Sequence, residues 1–309
     1  MPTRPGGIAR GNDMTKLLVT GAAGQLGRAI LHHLLETSKV SVSDIVAASR
    51  DTSKLADLAA KGVETRKADF TDEAGLAAAF AGIDRVLIIS TDDLATPGGR
   101  LKQHKTAVAA AAKAGVKHIL YTSMPNPDKS LVSFAPDHLG TEEAVEATGI
   151  PYTILRNAWY DDNYLMSMPH NIETGTWYTA YGAGKVSNIS RDDCARAAAA
   201  ALANPPAGSS TLTLTGAESL NAEEIAALVS EATGKPLNVV HVTDEQLAGG
   251  LTSAGLPDFL VKMLVSADAN IRASNFDLVT DDYEKLTGRK PQLLSAYFEN
   301  SKGALLGAH

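Results

Sequence analysis

A chain of 309 residues, 44% hydrophobic and 20% charged, carries enough apolar mass to bury one large core or two unequal ones. Its formal net charge of -7, with no run of Lys or Arg, leaves no electrostatic footprint for nucleic acid or an anionic membrane. No apolar run reaches the roughly 20 residues that span a bilayer, and the single cysteine, Cys194, excludes an internal disulfide and fits a reducing compartment, so the expected setting is the cytoplasm.

In chain order, residues 1–13 (MPTRPGGIARGND) hold Pro and Gly but no apolar stretch, and read as a disordered N-terminal extension. From Met14, short apolar runs (KLLVTG, DIVAAS, VETRKADF, RVLIIS, KHILYTS, PYTILRN) alternate with Ala-rich helical segments (GRAILHHLLE, SKLADLAAKG, EAGLAAAFAG, TAVAAAAKAG). That alternation predicts repeated βαβ units over residues 14–157, and so an α/β fold with a doubly wound parallel sheet. Beyond Asn157 the rhythm breaks. Residues 158–185 contain both tryptophans and several tyrosines, interrupted by Pro and Gly. VSNIS then reads as a strand and RDDCARAAAAALA as a helix, so that residues 186–203 are expected to return to the first domain. The tail, with STLTLTG, NAEEIAALVSEATG and LNVVHV as strand, capped helix and strand, completes a smaller α/β substrate-binding domain assigned to 158–309.

The first run ends in TGAAGQLG, which places Gly21, Gly24 and Gly27 between a strand and a helix, with Ala23, Gln25 and Leu26 among them. A dinucleotide pyrophosphate needs this: one glycine for the tight turn, one so that backbone N–H groups meet phosphate, one so that helix and strand pack closely. The helix N-terminus adds partial positive charge. The sheet is therefore expected to be of the Rossmann type. After the second strand, Ser49-Arg50 stands where an acidic residue would select NAD, and a guanidinium there pairs with a 2'-phosphate for about 1.5–3 kcal/mol. NADPH is the expected cofactor. The competing reading makes Arg50 a solvated cap and Asp51 a repellent of phosphate. Asp69 and Phe70 are expected to flank the adenine, and Ser90, Thr91 and Thr122 to approach the cofactor's middle, because ligands lie beyond the C-terminal ends of such strands.

The pieces TGAAGQLG, ASR, ADF, GVKHILYTS and GIPYTILRNAWY resemble, in order and spacing, the NmrA-like atypical branch of the short-chain dehydrogenase/reductase family, and within it the bacterial NAD(P)H:quinone oxidoreductases and triphenylmethane reductases. The resemblance implies an NADP-binding Rossmann domain, a small C-terminal substrate domain, and hydride transfer in the cleft between them.

The chain departs from the wider family at its acid. Most members carry Tyr-x-x-x-Lys on the helix after the fifth strand; here His138 and Glu142 stand at those places. Tyr181 and Lys185 match the pattern literally but carry two glycines between them and read as a turn, while Tyr152 and Arg156 lie on a strand. Met124 follows Ser123 where a second hydroxyl is expected. Ketone reduction develops alkoxide charge and needs that machinery. A quinone, whose charge delocalises, or a cationic dye, which hydride neutralises, does not. The expected function is NADPH-dependent hydride transfer to a quinone or similar conjugated electron-poor molecule. The alternative is a redox-sensing nucleotide-binding regulator without catalysis; epimerase chemistry is disfavoured by the missing tyrosine base.

A flat apolar pocket is expected from Asn157, Trp159, Tyr160, Tyr164, Met166, Met168 and Trp177, with Ser123 beside it, although an aromatic and Met cluster also suits an ordinary core. Tyr160 is the preferred contact and His138 a proton donor or pocket-orienting group, against a helix-surface reading of His138. His104 reads as a solvated helix start or a cleft residue, His32 and His33 as structural, and Cys194 as a packed thiol. The expected partner is a small molecule, with no nucleic acid, membrane or metal, and with a homodimer as an open association state.

Overall fold

The computed structural model describes residues 15–307, so the extension expected over residues 1–13 lies outside the described residues. Among the described residues, nine strands are found in chain order: β1 (Leu17–Val19), β2 (Ile45–Ser49), β3 (Glu64–Lys67), β4 (Arg85–Ile88), β5 (His118–Ser123), β6 (Tyr152–Asn157), β7 (Thr176–Thr179), β8 (Ser210–Leu214) and β9 (Asn238–His241). Seven of them form one parallel sheet in the order β3-β2-β1-β4-β5-β6-β8; β7 and β9 pair separately. Strands β1, β2 and β5 are buried throughout, which is why they read as continuous apolar runs.

The connecting helices are α1 (Gln25–Glu36), α2 (Ala56–Ala60), α3 (Glu73–Phe80), α4 (Gly99–Lys113), α5 (Ala135–Glu146), α6 (Tyr164–Thr174), α7 (Arg191–Ala203), α8 (Ala222–Thr233), α9 (Asp244–Ser253), α10 (Asp258–Arg272), α11 (Asp282–Thr287), α12 (Leu294–Asn300) and α13 (Lys302–Leu305). One face of the sheet shares a core with α1 and α7, the other with α3, α4 and α5. Strand order reverses at β1, so a crevice opens beyond the C-terminal ends of β1 and β4, the usual ligand position in such sheets.

Two segments differ from the sequence reading. STLTLTG, assigned to the smaller domain, supplies β8, which pairs with β6 from Thr153↔Ser210 to Asn157↔Leu214. The free edge of β6 is covered this way, and Leu214 enters the α1/α7 core. VSNIS forms only isolated bridges, Val186 to Leu220 and Ile189 to Tyr160. It carries the chain across to α7, whose Ser190 caps the helix by accepting from the Asp193 amide at 3.0 Å. The Ala face of α7 lies against α1, with Cys194 fully buried. A third core, built on α6, α8 and α12 with Trp177 and Phe276, holds the remainder together. Among the described residues no helix is long and apolar enough to cross a membrane.

Candidate functional site

The loop after β1 is shaped by its three glycines. Gly21 adopts φ +60°, and a Cβ on Gly27 would sit 2.3 Å from the Gly21 carbonyl oxygen and 2.9 Å from Ala22 Cα, so only glycine lets α1 pack this closely. Gly24 is different: it is exposed, it is the N-cap of α1, and no side chain caps the helix or places an acid in its first turn. Ala23 and Leu26 are half-buried and Gln25 exposed around it. The positive end of the helix therefore faces outward with its amides uncovered, an arrangement suited to an anion. Thr20 Oγ1 donates to Leu87 O at 3.0 Å and accepts from Ile89 N at 2.9 Å, which fixes this loop against the end of β4.

Past β2, the Asp51 carboxylate accepts from Ser53 Oγ (2.6 Å) and Ser53 N (3.0 Å), and these bonds hold it below the usual carboxyl range. Asp51 is the cap here. Arg50 is not: its side chain is 73% exposed, with Asp92 3.9 Å away. Ser49 is buried and accepts from Asp51 N at 3.3 Å. Asp69 is half-buried and folded into a turn by Thr71, whose amide and hydroxyl lower its pKa; the Arg50 charge adds to the effect. The Phe70 ring is turned into the core, so Asp69 is what this strand end presents. Between the ends of β4 and β5, Thr122 Oγ1 accepts from Ser90 N at 2.9 Å, which brings Ser90 and Thr122 together.

Behind them lies a buried polar network that the sequence did not reveal. Arg100, at the start of α4, donates through Nε to Thr91 O (2.8 Å) and through its guanidinium to His138 Nε2 (3.0 Å), and lies 5.0 Å from the Phe134 ring centre. The bond to Nε2 leaves the His138 proton on Nδ1, 2.9 Å from Tyr121 Oη. The Thr91 amide donates to His104 Nε2 at 2.9 Å, so His104 Nδ1 faces Thr141 Oγ1 (3.0 Å) and Tyr121 Oη (3.3 Å). Burial, reinforced by the Arg100 charge, pushes His104 down to about 3 and His138 well below its ordinary value. Both rings are neutral. His104 is thus not a solvated helix start, and His138, 4% exposed with both nitrogens engaged, is neither a surface histidine nor a free acid.

Glu142 is equally committed. It accepts from Arg156 at 2.6 and 2.9 Å and from Ser123 Oγ at 2.5 Å, locking α5 across β5 and β6. Ser123, 5% exposed, spends its hydroxyl on this lock. The Tyr181 segment is a turn, closed by Gly184 N to Tyr181 O at 2.9 Å, and Lys185 pairs with Glu224 at 3.6 Å.

The aromatic segment divides. Tyr164, Met168 and Trp177 are core residues of the smaller part, not pocket lining: Tyr164 Oη donates to Asn188 Oδ1 at 3.0 Å and its ring meets Trp177 and Phe298 edge-on. Met166 is 82% exposed. Asn157, Trp159 and Tyr160 stay together at the active end of β6. Asn157 Nδ2 donates to Tyr160 Oη at 2.9 Å, Trp159 packs on Phe276, and the Arg191 guanidinium lies 5.3 Å from the Tyr160 ring centre. Burial pushes the Tyr160 phenol up, so it stays protonated across the physiological range. Arg100 and Tyr121 were missed in the sequence because no spacing rule links positions 100, 121 and 138; three elements bring them together.

The chain matches the NmrA-like family over residues 13–284. It is 37% identical over 281 residues to quinone oxidoreductase 2 of Escherichia coli (strain K12), covering 90% of this chain and 96% of that one. To the NAD(P)H azoreductase of Xenophilus azovorans it is 30% identical over 295 residues, covering 94% and 99%. Among solved structures, the Citrobacter sp. triphenylmethane reductase complexed with NADP(H) superposes with a TM-score of 0.87 at 34% identity, covering 93% of this chain and all of that one. The Escherichia coli NADPH-dependent quinone oxidoreductase complexed with NADPH gives 0.87 at 35%, covering 92% and 99%. A match over most of the chain, on the fold and crevice described above, places this protein in the NmrA-like family.

Proposed function

We propose that the protein is an NADPH-dependent reductase that delivers hydride to a quinone or a similar conjugated, electron-poor acceptor. The crevice fits the cofactor: the bare surface of Gly24 and the uncapped start of α1 suit a pyrophosphate, and the unburied Arg50 suits a 2'-phosphate. In this reading Gly21 to Gly27 hold the pyrophosphate, Asp69 stands at the adenine end, and Ser90, Thr91 and Thr122 border the middle. When bound, NADPH supplies the hydride. The residues of the chain bind and orient: Asn157, Trp159 and Tyr160 form the acceptor side, and Arg100 with His138 fixes the Thr91 carbonyl and the end of β4.

The observation that carries the substrate class is the state of the two positions where an acid and its lysine would stand. His138 and Glu142 are both buried and both fully engaged, so neither supports an alkoxide as it forms. Acceptors that disperse or annihilate charge make the smallest demand on such a site. The relatives that reduce quinones, azo compounds and triphenylmethane dyes support the same class.

Following NADPH absorbance against quinones, cationic dyes and unactivated ketones tests the reading. Turnover is expected with the first two and little with ketones. Tight NADPH binding without turnover on any acceptor would replace the reductase by a nucleotide-sensing regulator.

A further inference from the structure

The chain leaving β4 gives up three successive amide donors to side chains of three other elements. Ile89 N donates to Thr20 Oγ1 in the loop after β1, Ser90 N to Thr122 Oγ1 of β5, and Thr91 N to His104 Nε2 of α4, each at 2.9 Å. The carbonyls of this stretch are placed the other way. A trans peptide points its C=O away from its N–H, so the Ile89 carbonyl turns away from Thr122 and the Ser90 carbonyl away from His104. Neither accepts a hydrogen bond from the described residues, whereas the next one, Thr91 O, is taken by Arg100. Ile89, Ser90 and Thr91 are only half-buried, and a Cβ on Gly21 would lie 3.5 Å from the Ile89 side chain, so this stretch borders the glycine loop.

His104, fully buried, is oriented through its other nitrogen. A backbone amide only donates and a backbone carbonyl only accepts, and His104 and Thr141 link one of each. Thr141 Oγ1 donates to Asp137 O at 2.6 Å, His104 Nδ1 donates to Thr141 Oγ1 at 3.0 Å, and Nε2 is left to accept from Thr91 N. Only a ring carrying its proton on Nδ1 completes this chain. Burial first, and then the Arg100 charge one turn earlier on α4, keep a second proton off the ring. Tyr121 of β5, 3.3 Å from Nδ1, and His138 of α5 are uncharged as well.

We propose that His104 is a positioning residue for the cofactor: by drawing the Thr91 amide inward it sets the Ser90 carbonyl to accept from a hydroxyl of the nicotinamide ribose. This rests on the NADPH reading above. Carbonyl oxygens repel phosphate and receive hydroxyl donors, whereas the uncapped amides of α1 do the reverse. Arg50, at the end of β2, puts the 2'-phosphate and with it the adenosine on the β2 side of β1. The β4 and β5 half of the crevice is then left to the other ribose.

The test is equilibrium binding of three probes to the full-length protein: NADPH, NADH, and adenosine 2',5'-bisphosphate, which has the adenosine and its 2'-phosphate but no second ribose. In His104→Leu the Kd for both dinucleotides is expected to rise about tenfold in parallel, and that for the bisphosphate to stay unchanged. His104→Asn keeps a polar group facing Thr141 but leaves the Thr91 amide without an acceptor, and should behave as Leu does; it carries the test if His104→Leu does not fold. His104→Gln, whose Oε1 accepts where Nε2 did, should bring both dinucleotides back to within about threefold of wild type. Unchanged dinucleotide affinity in the Leu and Asn variants, an equal loss of the bisphosphate, or a Gln variant no better than Asn overturns the proposal. A further measurement needs no variant. Long-range proton–nitrogen spectra of the wild type should show the His104 ring with its proton on Nδ1 from about pH 5 to 8, and a proton on Nε2, or titration of the ring in that range, overturns the role. A wild type that binds neither dinucleotide fails the NADPH reading itself, and the role of His104 falls with it; the variant outcomes concern His104 alone.

Discussion

Arg50 leaves β2 with its guanidinium in solvent and one distant carboxylate, Asp92, at 3.9 Å. Asp51, which threatened to repel a phosphate, is instead turned onto Ser53. Replacing Arg50 by Ala is therefore expected to raise the Kd for NADPH about tenfold while leaving NADH nearly unchanged, the low end for a charge-assisted contact because the side chain is hydrated. Parallel fluorescence titrations check this, and equal weakening of both nucleotides would remove Arg50 from the site. Residue by residue, the shape of the glycine loop was legible because its logic is local: glycine spacing between a strand and a helix can be read within a few positions, whereas the burial of Phe70 cannot. His138 was legible only as a substitution. Its neutral state comes from burial reinforced by the Arg100 charge, and its hydrogen bonds from Arg100 of α4 and Tyr121 of β5, elements far apart in the chain.

At the scale of elements, the turn from β1 into α1 assigns different work to neighbouring glycines. Gly27 faces the backbone of Gly21 and Ala22 in the loop after β1, so Gly27→Ala forces α1 off that loop and should destabilise the fold by about 3 kcal/mol, read as a lower urea midpoint. Gly24 has φ -79° and ψ 167°, extended backbone open to any residue, and a Cβ there meets only Gly21 O, at 3.3 Å. Gly24→Ala should keep the urea midpoint and lose NADPH affinity, since the methyl stands where phosphate approaches. A matched loss of stability in both variants would show the two glycines to be equivalent. The segment after β6 was read less fully. Aromatic content there is the same whether rings line a pocket or fill a core, and the packing of α6 on α12, with Tyr164 against Phe298, decides for the core at Tyr164, Met168 and Trp177.

Across the whole molecule, the sheet is completed by residues far down the chain. Helix α7 shares a core with α1 and with Leu87, Leu120 and Leu155 of the central strands, and β8 covers the edge of β6. A fragment of residues 15–157 lacks both. It is expected to remain unfolded or aggregate by circular dichroism and sedimentation, whereas the full chain shows one sharp transition in which sheet and nucleotide crevice are lost together. A fragment with native-like spectra would show that α7 and β8 are accessory.

By itself the sequence determined the βαβ order, the parallel sheet and the glycine loop, because hydrophobic periodicity and backbone sterics act over a few residues and leave their mark in spacing. It also showed that the usual tyrosine and lysine are absent. Only the tertiary structure decided how the residues standing in their places are held: a neutral His138 between Arg100 and Tyr121, and a Glu142 locked to Arg156. Burial and charge environment are sums over every element packed around a group, so no stretch of sequence contains them.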